Sequence, residues 1–418
     1  MRIEIITVGN EVLSGRTLDT NFAFLARALE EANVQVTWHT TVGDVAEAIG
    51  SALKLALDRA DAVVMTGGLG PTPDDLTRKA VATVLRRPLQ LDEEVLASIR
   101  ARVKRFARKM PASVETQALL PRGAEAWPNR LGTAPGILVT QKEKPVVLLP
   151  GVPAEMEGLA LEHLIPYLRK LSGLTVECFT LRTYGSFESQ LHERIGALPQ
   201  NWPSASLAYL PSYFGVDLRV TVSGEDAAAV RETAERAHAE LSAKVRSVIY
   251  AEGGASMEEV VGAALLERRW RIAVAESCTG GLLAKRLTDT PGSSRYVDRG
   301  FVTYSNASKV QAVGVSEKDL EAHGAVSAPV AEQLARGARE RAGVEVGVGI
   351  TGIAGPDGGT PEKPVGLVFL GVSSPLGEAV RRLQFIGTRA MIRERSAQAA
   401  LDLVRRQLAG LPLEAKLD

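Results

Sequence analysis

Ala275-Glu276-Ser277-Cys278-Thr279-Gly280-Gly281-Leu282-Leu283 follows a short, mostly apolar run from Trp270 to Val274. The run reads as a strand, and the Ser, Thr and two Gly read as the turn that delivers it to a helix. A strand feeding a helix through a Gly-rich turn is the repeating joint of an α/β fold. The start of such a helix carries unpaired backbone N–H groups and the positive end of the helix dipole, which suit an anion. A serine with a Gly-Gly turn behind it also suits covalent catalysis, because the backbone can approach closely and donate to an oxyanion. A capped helix with a tight turn is the plain alternative.

Outward from this joint, residues 255–418 keep the α/β rhythm, with strands at Ile272–Ala275, Tyr296–Tyr304, Val344–Thr351 and Gly366–Ser373 and a final helix at Arg389–Leu408. Residues 1–172 have the same character. Strands are expected at Arg2–Val8, Val34–Thr41, Ala62–Thr66, Gly136–Gln141 and Pro145–Leu149, with helices at Thr20–Ala32, Val45–Arg59, Leu76–Leu85 and Asp92–Lys109. Such βαβ units imply a mostly parallel sheet that binds ligands at the carboxyl ends of its strands. Residues 173–254 differ: strand, helix, two strands, a long helix and a strand make a small α+β unit, and Glu252-Gly253-Gly254 reads as a linker. The expected fold is therefore α/β and multidomain.

The chain has 418 residues, too many for one core, and 45% are hydrophobic against 23% charged. A formal net charge of +0 argues against a dedicated nucleic-acid binder. Cys178 and Cys278 are the two cysteines, so there is no disulfide framework and no Cys-based metal site. Met1 to Gly9 reads as a strand rather than a signal peptide, and no apolar run is long enough to cross a bilayer. A cytoplasmic protein is expected. The basic helix face Arg100, Arg102, Lys104, Arg105, Arg108 and Lys109 has one Phe and no row of stacking aromatics, and reads as a solvated surface.

In the first domain, Thr66-Gly67-Gly68-Leu69-Gly70-Pro71-Thr72-Pro73-Asp74-Asp75-Leu76-Thr77 leaves a strand and opens a helix. Its glycines let a phosphate approach the backbone, and its threonines supply hydroxyls. Asp74 and Asp75 lie where capping carboxylates are common, yet an acid beside a phosphate cradle also suits a divalent cation. Further loops are Gly9-Asn10-Glu11-Val12-Leu13-Ser14-Gly15, with Asn21 just beyond, Asn129 to Gly136, and Pro150-Gly151-Val152-Pro153-Ala154-Glu155-Met156. Four such loops on one sheet point to a nucleotide-sized pocket.

Three of these loops, Gly9 to Gly15, Gly67 to Asp75 and Pro150 to Met156, resemble the molybdopterin-binding-like domain of the CinA family of competence/damage-inducible proteins. The resemblance implies metal-dependent hydrolysis of ADP-ribose to AMP and ribose 5-phosphate, although molybdopterin-handling relatives share the fold. Carried over by motif, Gly9, Glu11, Asn21, Gly67, Gly68, Gly70, Thr72, Gly132, Gly151 and Pro153 are the expected ADP-ribose contacts. Glu11, Asp74, Asp75 and Glu155 are the expected ligands of a divalent metal. For the middle domain the family implies a KH-like module. Nothing there offers the Gly-x-x-Gly loop of RNA-binding KH domains, so a spacer is expected.

The third domain resembles the CinA C-terminal domain, which also occurs alone as nicotinamide mononucleotide (NMN) deamidase. The motifs are Ala275 to Gly281, Thr303-Tyr304-Ser305-Asn306-Ala307-Ser308-Lys309, Gly349-Ile350-Thr351-Gly352-Ile353-Ala354-Gly355-Pro356 and Lys363-Pro364-Val365-Gly366. Hydrolysing a carboxamide needs a nucleophile, a base, oxyanion donors and a phosphate anchor. Ser277 is the nucleophile candidate, with Thr279, Gly280 and Gly281 in its turn. His323 reads as a surface residue, which leaves Lys309 as the base if burial lowers its pKa. Tyr304 is expected to relay the proton or orient the amine, and Asn306 to cap the helix. Cys278 reads as a small packing residue. Thr351, Gly352, Ala354 and Gly355 are expected to receive the pyridine ring and carboxamide, and Arg389 and Arg393 the 5′-phosphate. No cofactor is expected here.

The sequence thus reads as a bifunctional enzyme of pyridine nucleotide salvage, a homodimer acting on small nucleotides. A non-enzymatic competence or DNA-repair adaptor and a molybdopterin-handling first domain are the alternatives.

Overall fold

A computed structural model describes residues 1–105 and 112–414. The chain divides into two compact units, Met1–Glu177 with Thr221–Arg231 and Cys178–Val220 with Glu232–Asp418.

The first unit contains β1 (Arg2–Val8), β2 (Gln35–Val42), β3 (Ala62–Thr66), β4 (Leu89–Leu91), β5 (Leu119–Pro121), β6 (Glu125–Trp127), β7 (Gly136–Gln141) and β8 (Lys144–Leu149). Six of them form one sheet in the order β2-β1-β3-β8-β7-β6. β1 runs parallel to β2 and β3, and β3 parallel to β8, while β7 and β6 are antiparallel. The expected mostly parallel sheet is present. The strands that sequence reading missed, β4, β5 and β6, have three residues each, too short for a period to register. Alternate residues of β1 serve opposite faces: Ile3 and Ile5 pack with Leu25 and Leu29, and Ile6 and Val8 with Ile49 and Leu53. Burial on both faces makes these strands near-continuous apolar runs. Glu4 interrupts that run, and its buried carboxylate accepts two guanidinium bonds from Arg59 at 2.7 and 2.8 Å and one from the Thr40 hydroxyl at 2.7 Å.

β9 (Thr175–Thr183), β10 (Ala205–Ser212), β11 (Gly215–Gly224) and β12 (Ile249–Glu252) form a second sheet in the order β10-β11-β9-β12. Glu252, expected in a linker, belongs to β12.

The third sheet has the order β14-β13-β15-β16-β17, from β13 (Ile272–Glu276), β14 (Val297–Val302), β15 (Val346–Gly352), β16 (Leu367–Ser374) and β17 (Gly377–Gln384). β13 lies between two parallel neighbours, and all its residues are buried. Ile272 and Val274 join the core beneath the helices Met257–Arg268 and Arg389–Leu408, while Ala273 and Ala275 pack on Val330 and Leu334. β17 escaped sequence reading because it is an edge strand, half exposed and rich in charge. The helix expected to reach Lys109 spans Glu93–Arg105, and the 106–109 part of its basic face lies outside the described residues. Among the described residues no helix is long and apolar enough to cross a membrane.

Candidate active site

β13 ends at Glu276, and the next residue, Ser277, lies opposite the 306–313 helix. Lys309, on that helix, is only 1% exposed. Its Nζ lies 3.2 Å from Ser277 Oγ, 2.8 Å from the Thr303 carbonyl and 3.3 Å from the Tyr304 carbonyl. Two carbonyls take two N–H bonds of the amine. The third tetrahedral direction then faces Ser277, either as a donor from the ammonium or as a lone pair accepting the hydroxyl proton. Burial lowers the Lys309 pKa, since a dry site disfavours the ammonium. Serine and lysine from the first two motifs are thus brought into direct contact, 32 residues apart in sequence.

Cys278 is buried, and its thiol is pushed up to about 12, mainly by burial. It is a protonated packing residue beside the serine. Gly281, with φ 93°, precedes the 282–289 helix in a left-handed conformation that a side chain would strain.

The helix start is not open to an anion. The Glu276 carboxylate accepts the amides of Gly281, Leu283 and Ala284 at 3.0, 3.0 and 2.8 Å. Sequence reading missed this residue, although an acid at a buried strand end six residues before a helix was the available signal. The Ser277 amide donates to Ile350 and the Gly280 amide to the Ser277 carbonyl. Among the described residues, the Cys278 and Thr279 amides donate to no other residue.

Three further expectations are corrected. The Tyr304 phenol does not face the amine: the side chain is exposed and its hydroxyl accepts Arg389 Nη2 at 3.1 Å, so Tyr304 orients Lys309 through its carbonyl. The helix is capped by Ser305, whose Oγ accepts the Ser308 amide at 3.1 Å, and Asn306 is merely its exposed first residue. Arg393 is committed to the Thr279 carbonyl at 2.6 and 3.2 Å, bracing the serine turn. Arg389 also donates to the Gly355 carbonyl at 2.9 Å, which ties the Tyr304 and Gly355 motifs to the last helix. Thr351 is buried with its hydroxyl on the Ala325 carbonyl at 2.7 Å, and Gly352 ends β15 paired with Val368. Ala354 is buried in the core beside them, and His323 is exposed as expected.

The first unit holds a separate cavity of roughly 410 Å³ at the carboxyl ends of β1 and β3. Gly9, Glu11, Gly67, Gly68, Gly70, Asp74, Asp75, Gly151 and Glu155 line it, with Thr133 of the expected 129–136 loop and with Asp44 and Gln117, which sequence reading missed. Gly67 has φ 102°, and a Cβ there would meet the Val8 carbonyl at 2.1 Å. Thr72 is not free for phosphate, because its amide and hydroxyl both donate to Asp75, at 2.8 and 2.5 Å. Asp75 therefore closes the loop instead of capping the helix. Asn21 lies in the interior, donating to Thr66 Oγ1 and the Gly151 carbonyl, each at 2.9 Å. Gly132 and Pro153 do not line this cavity; Gly132 borders a neighbouring one, and Pro153 starts a helix. Arg78 is buried beneath the loop, donating to the Leu69 and Gly70 carbonyls.

The lining brings five carboxylates together, from Glu11, Asp44, Asp74, Asp75 and Glu155, and no basic side chain. Among the described residues no three acids or other ligand types gather closely enough to share a metal ion. Asp44 accepts the Asn10 amide and Glu155 the Asn129 amide group, at 2.9 and 2.7 Å.

Comparisons with known proteins show the family. Residues 4–170 match the family model described as a probable molybdopterin binding domain, residues 180–251 the damage-inducible protein CinA KH domain, and residues 254–408 the CinA C-terminal domain. A CinA-like protein of Gemmatimonas aurantiaca is 44% identical, covering 98% of this chain and 97% of that protein. The chain belongs to the CinA family. A putative competence-damage inducible protein of Caldanaerobacter subterraneus is 40% identical over 99% of this chain and 100% of its own length. A crystal structure of the protein CinA from Thermoplasma acidophilum, described as of unknown function, is 39% identical and covers 39% of this chain and 97% of that one, with a TM-score of 0.37. The three-domain architecture of the family, with a molybdopterin-binding-like first domain and a KH middle domain, is thereby established for this CinA-family chain.

Proposed function

We propose that this CinA-family protein deamidates nicotinamide mononucleotide to nicotinate mononucleotide and ammonia in its C-terminal domain. The observation that carries the reading is the buried Ser277–Lys309 contact at 3.2 Å. Neutral Lys309 takes the Ser277 proton as Oγ attacks the carboxamide carbon, and the Cys278 and Thr279 amides receive the oxyanion. The lysine then gives that proton to the amide nitrogen, the C–N bond breaks, and ammonia leaves an acyl-serine. Water, deprotonated by the same lysine, cleaves the ester and regenerates the hydroxyl. Arg389, the exposed first residue of the last helix, has N–H groups beyond those on Gly355 and Tyr304 to offer the substrate phosphate.

The first domain's second activity, in this reading, is hydrolysis of ADP-ribose to AMP and ribose 5-phosphate. A cavity with five carboxylates and no basic side chain repels a bare pyrophosphate, so a divalent cation is expected to enter with it. Its chemistry would be charge neutralisation on the pyrophosphate, and Glu11 and Asp74 are the carboxylates available to it. Both substrates derive from NAD breakdown, which gives a reason for one chain to carry both domains, as a cytoplasmic homodimer.

The test is ammonia release from NMN by the full chain, with Ser277→Ala as control, and AMP release from ADP-ribose with and without a chelator. A protein inert in both assays returns the question to the adaptor alternative, and a pterin that co-purifies points to molybdopterin handling.

A further inference from the structure

The proposed chemistry uses Ser277 and Lys309, and one neighbouring residue links the segments that carry them, through its carboxylate on one side and its main-chain carbonyl on the other. Glu276 is the last residue of β13 and 1% exposed. Its Oε2 accepts the Gly281 and Leu283 amides and its Oε1 the Ala284 amide. Its main-chain carbonyl accepts the Thr303 amide at 2.7 Å and the Thr303 hydroxyl at 3.3 Å. The Thr303 carbonyl in turn accepts Lys309 Nζ at 2.8 Å.

Gly281 occupies the cap position of the following helix and has no side chain to offer. Glu276 reaches over from the strand and closes residues 277–280 into a loop pinned at both ends. A carboxylate on three amides in a dry setting is a charge-assisted arrangement, stronger than a hydroxyl cap. We infer that Glu276 is a positioning residue of the Ser277–Lys309 pair: its carboxylate pins the serine loop while its carbonyl pins the strand that holds the amine. The inference rests on reading Ser277 and Lys309 as nucleophile and base. The carboxylate also helps hold the neighbouring Cys278 thiol in its protonated form.

The test uses the full chain with Glu276→Gln and Glu276→Asp. Glutamine keeps the shape but turns an NH2 group toward an amide donor, so at least one of the three bonds is lost. Aspartate keeps the acid but reaches less far. The first measurement is the rate at which an active-serine fluorophosphonate labels Ser277, which does not depend on NMN being the substrate. The second is kcat and KM for NMN. In Glu276→Gln, labelling and kcat are expected to fall together by roughly 10- to 100-fold, the effect of one lost charge-assisted hydrogen bond, with KM little changed. Glu276→Asp should lie between Gln and wild type. A cap with a purely structural role would lower the melting temperature and leave the labelling rate and kcat of the folded variant alone. Labelling at the wild-type rate in Glu276→Gln, or an unlabelled wild type, overturns the inference. If Glu276→Gln does not fold, Glu276→Asp decides by the same measurement: slower labelling supports the inference and an unchanged rate overturns it. A wild type that is labelled but releases no ammonia from NMN, with labelling slowed in Glu276→Gln, removes the NMN reading and supports the role of Glu276.

Discussion

Replacing Lys309 by Met separates chemistry from packing. The amine is buried and bonded to Ser277 Oγ and the carbonyls of Thr303 and Tyr304. Methionine fills much the same volume without a lone pair, so Ser277 loses its proton acceptor. Loss of a general base costs about 10²- to 10⁴-fold in rate. At about 1.36 kcal/mol per decade, that is roughly 3–5 kcal/mol of barrier. The two orphaned carbonyls cost about 1–3 kcal/mol each at most, offset because a buried amine no longer has to be desolvated. The variant should therefore fold, bind NMN and turn over slowly. pH supplies the second readout. Burial lowers the folded pKa of Lys309 below the ~10.4 of an exposed lysine, so wild-type kcat should rise with pH through a single ionisation below that value. Between the two pKa values the unfolded chain binds the extra proton, so stability also rises with pH in that window, and Lys309→Met should flatten the slope. Ammonia release measured from pH 6 to 10 and urea unfolding across the same range check both. A Lys309→Met enzyme within tenfold of wild type, or an unaltered pH profile, would refute the assignment of the base.

Three further outcomes follow from the same geometry. Cys278→Ala should keep near-normal deamidation while Ser277→Ala loses it, and iodoacetamide at neutral pH should leave wild-type activity intact, because the Cys278 thiol is held at about 12. Asp74→Asn should abolish ADP-ribose hydrolysis and spare deamidation, checked by assaying both activities on one preparation. A fragment beginning at Ala255 should still deamidate NMN, yet melt several degrees lower than the full chain. It loses the Phe214 ring on Arg286 and the carbonyls of Phe214 and Ser247 that hold Gln398 and Arg406, and a differential melting curve reads the difference.

What the sequence determined on its own is what local pattern encodes. Apolar runs such as Ile272–Ala275 and the Thr66-Gly67-Gly68 turn placed strands and strand-end loops, since buried parallel strands carry side chains for two covered faces. The pairing of Ser277 with Lys309 was also within reach, because both end adjacent βα units of one sheet. The edge strand β17 was not, because half-exposed positions leave no apolar signal. The destiny of each polar group was decided only by tertiary structure. Glu276 took the helix amides, Asp75 took both donors of Thr72, Asn21 went inside to hold Thr66 and Gly151, and Arg393 turned to the Thr279 carbonyl. Each group has several partners of suitable chemistry along the chain. Burial makes an unmatched donor or acceptor costly, and only the packed fold fixes which partner lies within about 3 Å.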